Sequence, residues 1–212
     1  MRKGLGCVIA AVIALIVLLL VASSWYVGTR NRFVRLDEAV SQQWGQVESQ
    51  YQRRLDLIPN LVKTVEGAAN FEKSTLQAVV DARAKVGQVQ VVPGQPGAGA
   101  SLPNDPNAMA QYAAAQQGLW SAVSRLIAVS ERYPDLKANQ NFLSLQSQLE
   151  GTENRIAVER MRYNEEAKTF NVAVRTFPAS IVAGMSGFKP KAYFQGAPGS
   201  SQAPEVNFNF GK

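Results

Sequence analysis

The side chains that could carry chemistry in this chain are carboxylates, arginines and one serine–lysine pair, because histidine is absent and the only cysteine is Cys7. Without histidine there is no imidazole base and no serine–histidine or cysteine–histidine nucleophile pair. A single cysteine excludes an intrachain disulfide and a Cys/His zinc site. Glu150 and Glu153 lie three apart, so a helix would put both on one face. Acids so paired serve di-iron bundles, but those also take Glu-x-x-His from two helices. The reading left is ion pairing with Arg155, Arg54 or Arg53. Glu165 and Glu166 are neighbours and diverge around a helix, and a Mg²⁺ or Ca²⁺ site would need oxygens from several helices. No metal and no cofactor is expected. Ser186-Gly-Phe-Lys189 has the Ser-x-x-Lys spacing of serine acyl-enzymes, but neither Ser-Asp-Asn nor Lys-Thr-Gly accompanies it, and Gly184 and Gly187 make it a turn.

Two polar groups remain. Arg53, Arg54, Asp56 and Asn60 surround Pro59, and Glu150, Glu153, Asn154 and Arg155 surround Gly151. A mid-helix glycine costs about 1 kcal/mol against alanine, so Gly151 suggests a close helix approach at that level. Charges buried there need partners. The expectation is one polar network joining the two segments; the alternative is that part of the cluster faces outward and binds a partner.

The elements that must position these residues read as helices. Phe142, Leu145, Leu149, Thr152, Ile156, Arg160, Tyr163, Ala167, Phe170, Val174 and Phe177 recur in steps of three and four, which predicts one long helix over 139–177 with a seam-like stripe, stopped by Pro178. Leu36, Val40, Trp44, Val47, Tyr51, Leu55 and Ile58 form another stripe, expected to end or kink at Pro59. Further helices are expected over 60–86, with an irregularity at 69–71, and over 107–132. No segment combines strand-like alternation with turn pairs, so almost no strand is expected. Residues 87–106, dense in Gly and Pro, read as a flexible loop. Residues 195–212 read as a disordered tail, although Val206, Phe208 and Phe210 alternate with asparagines and could add to a sheet edge of a partner. Amphipathic helices that cannot bury their stripes alone close most simply into an antiparallel, up-and-down four-helix bundle over 28–194.

Residues 1–27 read as a membrane anchor. No charge occurs from Leu5 to Val27, a run of about 34 Å at 1.5 Å per residue, matching the hydrocarbon core of a bilayer. Trp25 and Tyr26 fall where interfacial aromatics belong. A cleaved leader would have a shorter apolar core, of about 7–15 residues; Val21-Ala-Ser23 would be its cleavage site. Arg2, Lys3 and the terminal amine on one side balance Arg30, Arg32 and Arg35 on the other and leave the side of the soluble part undetermined. Gly6, Ala10 and Ala14 form a ridge along which two anchors could meet, so a homo-oligomer is a possible assembly. The 22 Lys plus Arg against 16 Asp plus Glu give a mildly basic chain whose charges alternate, the pattern of solvated helix surfaces and not of a nucleic-acid stripe.

Several segments in order resemble the LemA family of bacterial membrane proteins: Tyr51-Gln-Arg-Arg-Leu-Asp-Leu-Ile-Pro-Asn-Leu-Val62, Tyr133-Pro-Asp-Leu-Lys-Ala-Asn139 and Asn141 through Ile156, followed by Arg162-Tyr-Asn164, Phe170-Asn171, Phe177-Pro178 and Gly187-Phe188. The resemblance covers about residues 31–194, with the anchor and the Val/Phe-containing end. It implies a single membrane helix, a helical bundle and no established catalytic residues. Some related proteins take part in building magnetosome membranes and others neighbour membrane peptidases. The expected function is therefore a non-catalytic scaffold or protein-interaction module in the bacterial inner membrane, with the bilayer and other envelope proteins as partners. The alternative is an accessory regulator of a membrane peptidase or another envelope enzyme.

Overall fold

In the computed structural model, which describes residues 2–67, 71–90 and 102–196, the apolar stripes are helices. The long ones are α1 (Arg2–Glu66), α2 (Lys73–Gln90), α3 (Pro106–Ser130) and α5 (Gln140–Arg175). Two short ones, α4 (Pro134–Lys137) and α6 (Ala179–Ser186), and a 3-10 turn at Leu102–Asn104 complete the order. Side-chain pairs set the directions. Arg54 meets Glu153 and Trp44 meets Tyr163, so α5 runs antiparallel to α1. Trp44 meets Tyr112 and Arg54 meets Gln116, so α3 runs parallel to it. Arg83 of α2 reaches back to the Leu55 carbonyl, making α2 the return arm of a hairpin. The result is the up-down-up-down bundle that the stripes predict, its core built from Val40, Val47, Ile58, Leu119, Val123, Leu149 and Ile156 among others.

Three expectations are corrected. Pro59 does not end α1, which runs on through it to Glu66. A proline has no N–H, so the carbonyl four residues earlier, that of Leu55, loses its helical donor; the Nε–H of Arg83 points at that oxygen from 3.5 Å. Beyond the proline, Leu61 and Val65 continue the stripe and are fully buried. At about 1.5–3 kcal/mol per buried aliphatic side chain, that burial outweighs one lost backbone bond. The break falls at Gly67 instead, where α1 stops and before Phe71 packs on Tyr133. Second, both ends of the stretch expected as a loop over 87–106 are structured: α2 keeps its helical register to Gln90, with Val86 buried just before the stretch, and a 3-10 turn at Leu102–Asn104 leads into α3. There Leu102 and Pro103 are buried, and Asp105 caps α3 by accepting from the amides of Asn107 and Ala108 at 2.8 and 3.2 Å; such a cap contributes about 1 kcal/mol. Third, Gly151 marks no close approach: a Cβ added there would meet nothing within 4 Å.

The N-terminal part of α1 is long and apolar enough to cross a membrane. Its side chains from Val12 to Val21 pack against nothing in the bundle. The same helix then enters the core, and Phe33 is the first of its described side chains to be fully buried.

After α6, residues 188–196 run back along the bundle as an extended strap. Gly187, left-handed at φ 76°, ends α6, and the Phe188 amide bonds the Ala183 carbonyl at 3.0 Å, so the reversal needs a residue without Cβ. The strap is held by two asparagines of α5. Asn171 donates to the Lys191 carbonyl (2.9 Å) and accepts from the Lys191 amide (2.6 Å). Asn164 does the same for Phe194, at 2.9 Å in both directions. The spacing follows from geometry: seven helical residues rise about 10.5 Å, and three extended residues cover about 10 Å.

Candidate functional site

Between α3 and α5, above α1 and bounded by the strap, lies a cavity of about 520 Å³, within the range of small-ligand sites. Tyr51 and Arg54 of α1 form its floor, Met109, Ala113 and Trp120 belong to the α3 wall, and Arg160 belongs to the α5 wall. Alanines at 110, 113 and 114 leave the wall of α3 shallow, which is what keeps the space open.

Arg54 is the centre of this site. It is 1 % exposed although it carries a full charge. Its Nη1 donates to Glu153 Oε2 at 2.7 Å, its Nη2 donates to the Gln116 carbonyl at 3.2 Å and to the Gln116 side-chain oxygen, and its guanidinium lies 5.1 Å from the Tyr51 ring centroid. Burial lowers the pKa of Arg54, and the Glu153 carboxylate counters that pull; an arginine stays protonated under either influence. Burial likewise raises the phenol of Tyr51. Nε of Arg54 and Nε2 of Gln116 have no partner among the described residues, so the cluster is only partly satisfied.

Of the eight residues singled out from the sequence, the fold brings together Arg54 and Glu153 alone. Arg53, Asp56, Asn60, Glu150, Asn154 and Arg155 are exposed. Asp56 accepts from Gln52 at 2.8 Å and Glu150 from Gln146 at 3.0 Å, each within its own helix. The Asn60 carbonyl accepts from Thr64. Gln116, which completes the cluster, was missed: with Gln111 and Gln117 in the same alanine-rich helix, nothing in its type marks it as the inward one. Val206, Phe208 and Phe210 lie outside the described residues.

Beside the cavity, Trp44 stacks on Phe194 with ring centroids 5.8 Å apart and meets Tyr112 and Tyr163 edge-on. The Tyr163 hydroxyl donates to the Ala192 carbonyl at 2.9 Å; burial pushes its pKa well up, so it remains a donor. Arg160 sits 4.7 Å over the Phe194 ring, and Lys191 pairs with Asp37. The cations that border the cavity are thus committed to structural partners. Among the described residues no three His, Cys, Asp or Glu side chains converge on a possible metal site. What the arrangement offers is a shallow, largely apolar wall over a neutralised charge, suited to holding a segment.

Fold and site together define a class: an all-α bundle grown on one apolar helix of membrane-crossing length. The chain matches the LemA family model over residues 43–208 and belongs to that family. It is 30% identical to Magnetosome protein MamQ 2 of Paramagnetospirillum magneticum and 31% identical to Magnetosome protein MamQ of Magnetospirillum gryphiswaldense, each over 179 residues that cover 79% of this chain. It is 24% identical to Protein LemA of Metamycoplasma hominis over 170 residues, covering 80% of this chain and 70% of that one. The chain spans 65% of the length of the magnetosome relatives. None of these names denotes an enzyme, and with the apolar helix they make this a membrane-associated chain.

Proposed function

We propose that this chain is a single-pass scaffold of the bacterial inner membrane, without catalysis of its own, that presents a rigid bundle to other membrane or envelope proteins. The observation that carries this reading is the continuity of α1: one helix of 65 residues supplies both the apolar stretch and the central core stripe, so no joint lies between membrane and bundle. The magnetosome relatives, named for an organelle component, support it. The cavity between α3 and α5 is the presenting surface, and Val206, Phe208 and Phe210 are proposed as a docking strand for a partner's sheet edge.

A photo-cross-linking residue at Ala113, in the full chain in intact membranes, tests the proposal. A discrete adduct that is absent from a matched position at Val158, on the exposed side of α5, supports a scaffold. If the adduct is a peptidase, the role narrows to regulating it. No adduct at Ala113, or turnover by the purified chain, overturns the proposal. Deleting 204–212 is expected to remove at least one adduct; an unchanged pattern ends the docking strand.

A further inference from the structure

The end of the bundle nearest the apolar stretch carries a second apolar surface. α6 contains no charged residue. Val182 and Ala183 pack into the bundle, while Ile181 and Met185 are 54% and 73% exposed on the opposite side, and Phe177 just ahead of the helix is 78% exposed. Three large apolar side chains grouped at one end of a molecule are unusual unless something covers them.

Their position says what covers them. The Tyr26 hydroxyl lies 3.2 Å from that of Ser186, so the last turn of α6 stands beside the aromatic pair Trp25-Tyr26. A span of about 20 residues crosses the hydrocarbon core, which puts those aromatics at the level of lipid headgroups. The antiparallel register set by Arg54–Glu153 and Trp44–Tyr163 brings Arg175, the end of α5, opposite Arg32. About 9 Å of helix separates Arg32 from Tyr26, and α6 occupies that interval. Charge points the same way. No Asp or Glu occurs between Arg2 and Asp37, or between Glu166 and Gly196. Arg30, Arg32, Arg35, Arg175 and Lys189 are exposed, and no carboxylate lies between them and the apolar stretch; the first acids, Asp37 and Glu38, come on the bundle side of this basic collar.

We propose that α6 with Phe177 lies in the bilayer interface as a second membrane contact, with Phe177, Ile181 and Met185 at the boundary of headgroups and acyl chains and the basic collar on the phosphates of anionic lipid. Helices with an apolar face and flanking cations bind membranes in this manner, and juxtamembrane cations each add to the attraction. The inference rests on residues 5–27 spanning the bilayer.

The test uses the full chain with Cys7→Ser, in nanodiscs of phosphatidylcholine and phosphatidylglycerol, with a nitroxide on Met185→Cys or, as a control, on Leu15→Cys. Both sites are exposed, so neither substitution disturbs the core. Power saturation by oxygen reports lipid, and by a water-soluble nickel chelate reports water. At 185 the oxygen effect is expected to exceed the nickel effect several-fold, approaching the pattern at 15. A nickel-dominated signal at 185 with an oxygen-dominated one at 15 overturns the α6 contact and leaves the span standing. Shielding of 185 from both reagents means that a second copy covers the patch and also overturns it. A nickel-dominated signal at 15 removes the span and the inference with it.

Discussion

A guanidinium withdrawn from water needs a counter-charge more than a counter-charge in partial contact with water needs it. Glu153 keeps 30% of its side chain exposed while Arg54 keeps 2%, so the two deletions are unequal. Glu153→Gln leaves the arginine buried without its carboxylate and is expected to cost about 2–3 kcal/mol in thermal or chemical unfolding. Arg54→Glu brings like charges together inside the core and is expected to prevent stable folding; a well-folded Arg54→Glu chain would mean that the pair is not structural. Glu48 shows the opposite balance. Burial raises its pKa, with no compensating cation. A carboxyl that holds its proton more tightly when folded favours the fold below its ordinary range near pH 4.5 and loses that advantage as pH rises. Glu48→Gln is therefore expected to raise the melting temperature at pH 7 and to change it little near pH 4. Gly151→Ala, into open space, should add about 0.5–1 kcal/mol. At this scale the sequence was half legible. Adjacent helical positions diverge by about 100°, so Arg53 and Arg54 cannot both face inward. Composition alone does not tell which one does; the stripe through Tyr51 and Leu55 does.

The helices themselves were legible because a stripe that must be buried repeats every three or four residues, as from Phe142 to Val174 in α5. Two features were not. The helix through Pro59 depends on Leu61 and Val65 finding a core and on an arginine of another helix meeting the freed carbonyl, and neither is local. The strap has no periodicity at all: it is extended without belonging to a sheet, and its backbone bonds go to side chains of α5 and, from the Ala192 amide, to the Pro103 carbonyl at 2.7 Å. Its only trace was the pair of asparagines in Arg162-Tyr-Asn164 and Phe170-Asn171, set two turns apart. Asn164→Ala with Asn171→Ala deprives four strap backbone groups of partners. The double variant is expected to exchange the amides of 188–196 faster and to admit protease there, while α1 and α5 keep their protection. Protection unchanged at Lys191 and Phe194 would mean that the aromatic contacts suffice.

At the level of the whole molecule, the apolar run, the absence of histidine and the helical class are all legible in the sequence. The alignment of α6 with Tyr26 could not, since it depends on where α5 ends relative to α1. That alignment is sensitive to helical phase. One alanine inserted between Arg30 and Asn31 turns everything before it by about 100° relative to the core. The melting temperature of the bundle is expected to fall little, because Tyr26 is only partly buried and the fully buried stripe of α1 starts at Phe33, after the insertion, while the amides of α6 lose protection as Ser186 loses Tyr26.

Because α1 passes without a swivel from the apolar stretch to the floor of the cavity, it works as a lever. Tyr51 stands about 37 Å along the rod from Tyr26. In the membrane-spanning arrangement proposed above, a sideways pull at the cavity arrives in the lipid as torque, tilting the helix and straining the local thickness of the bilayer instead of dissipating in a hinge.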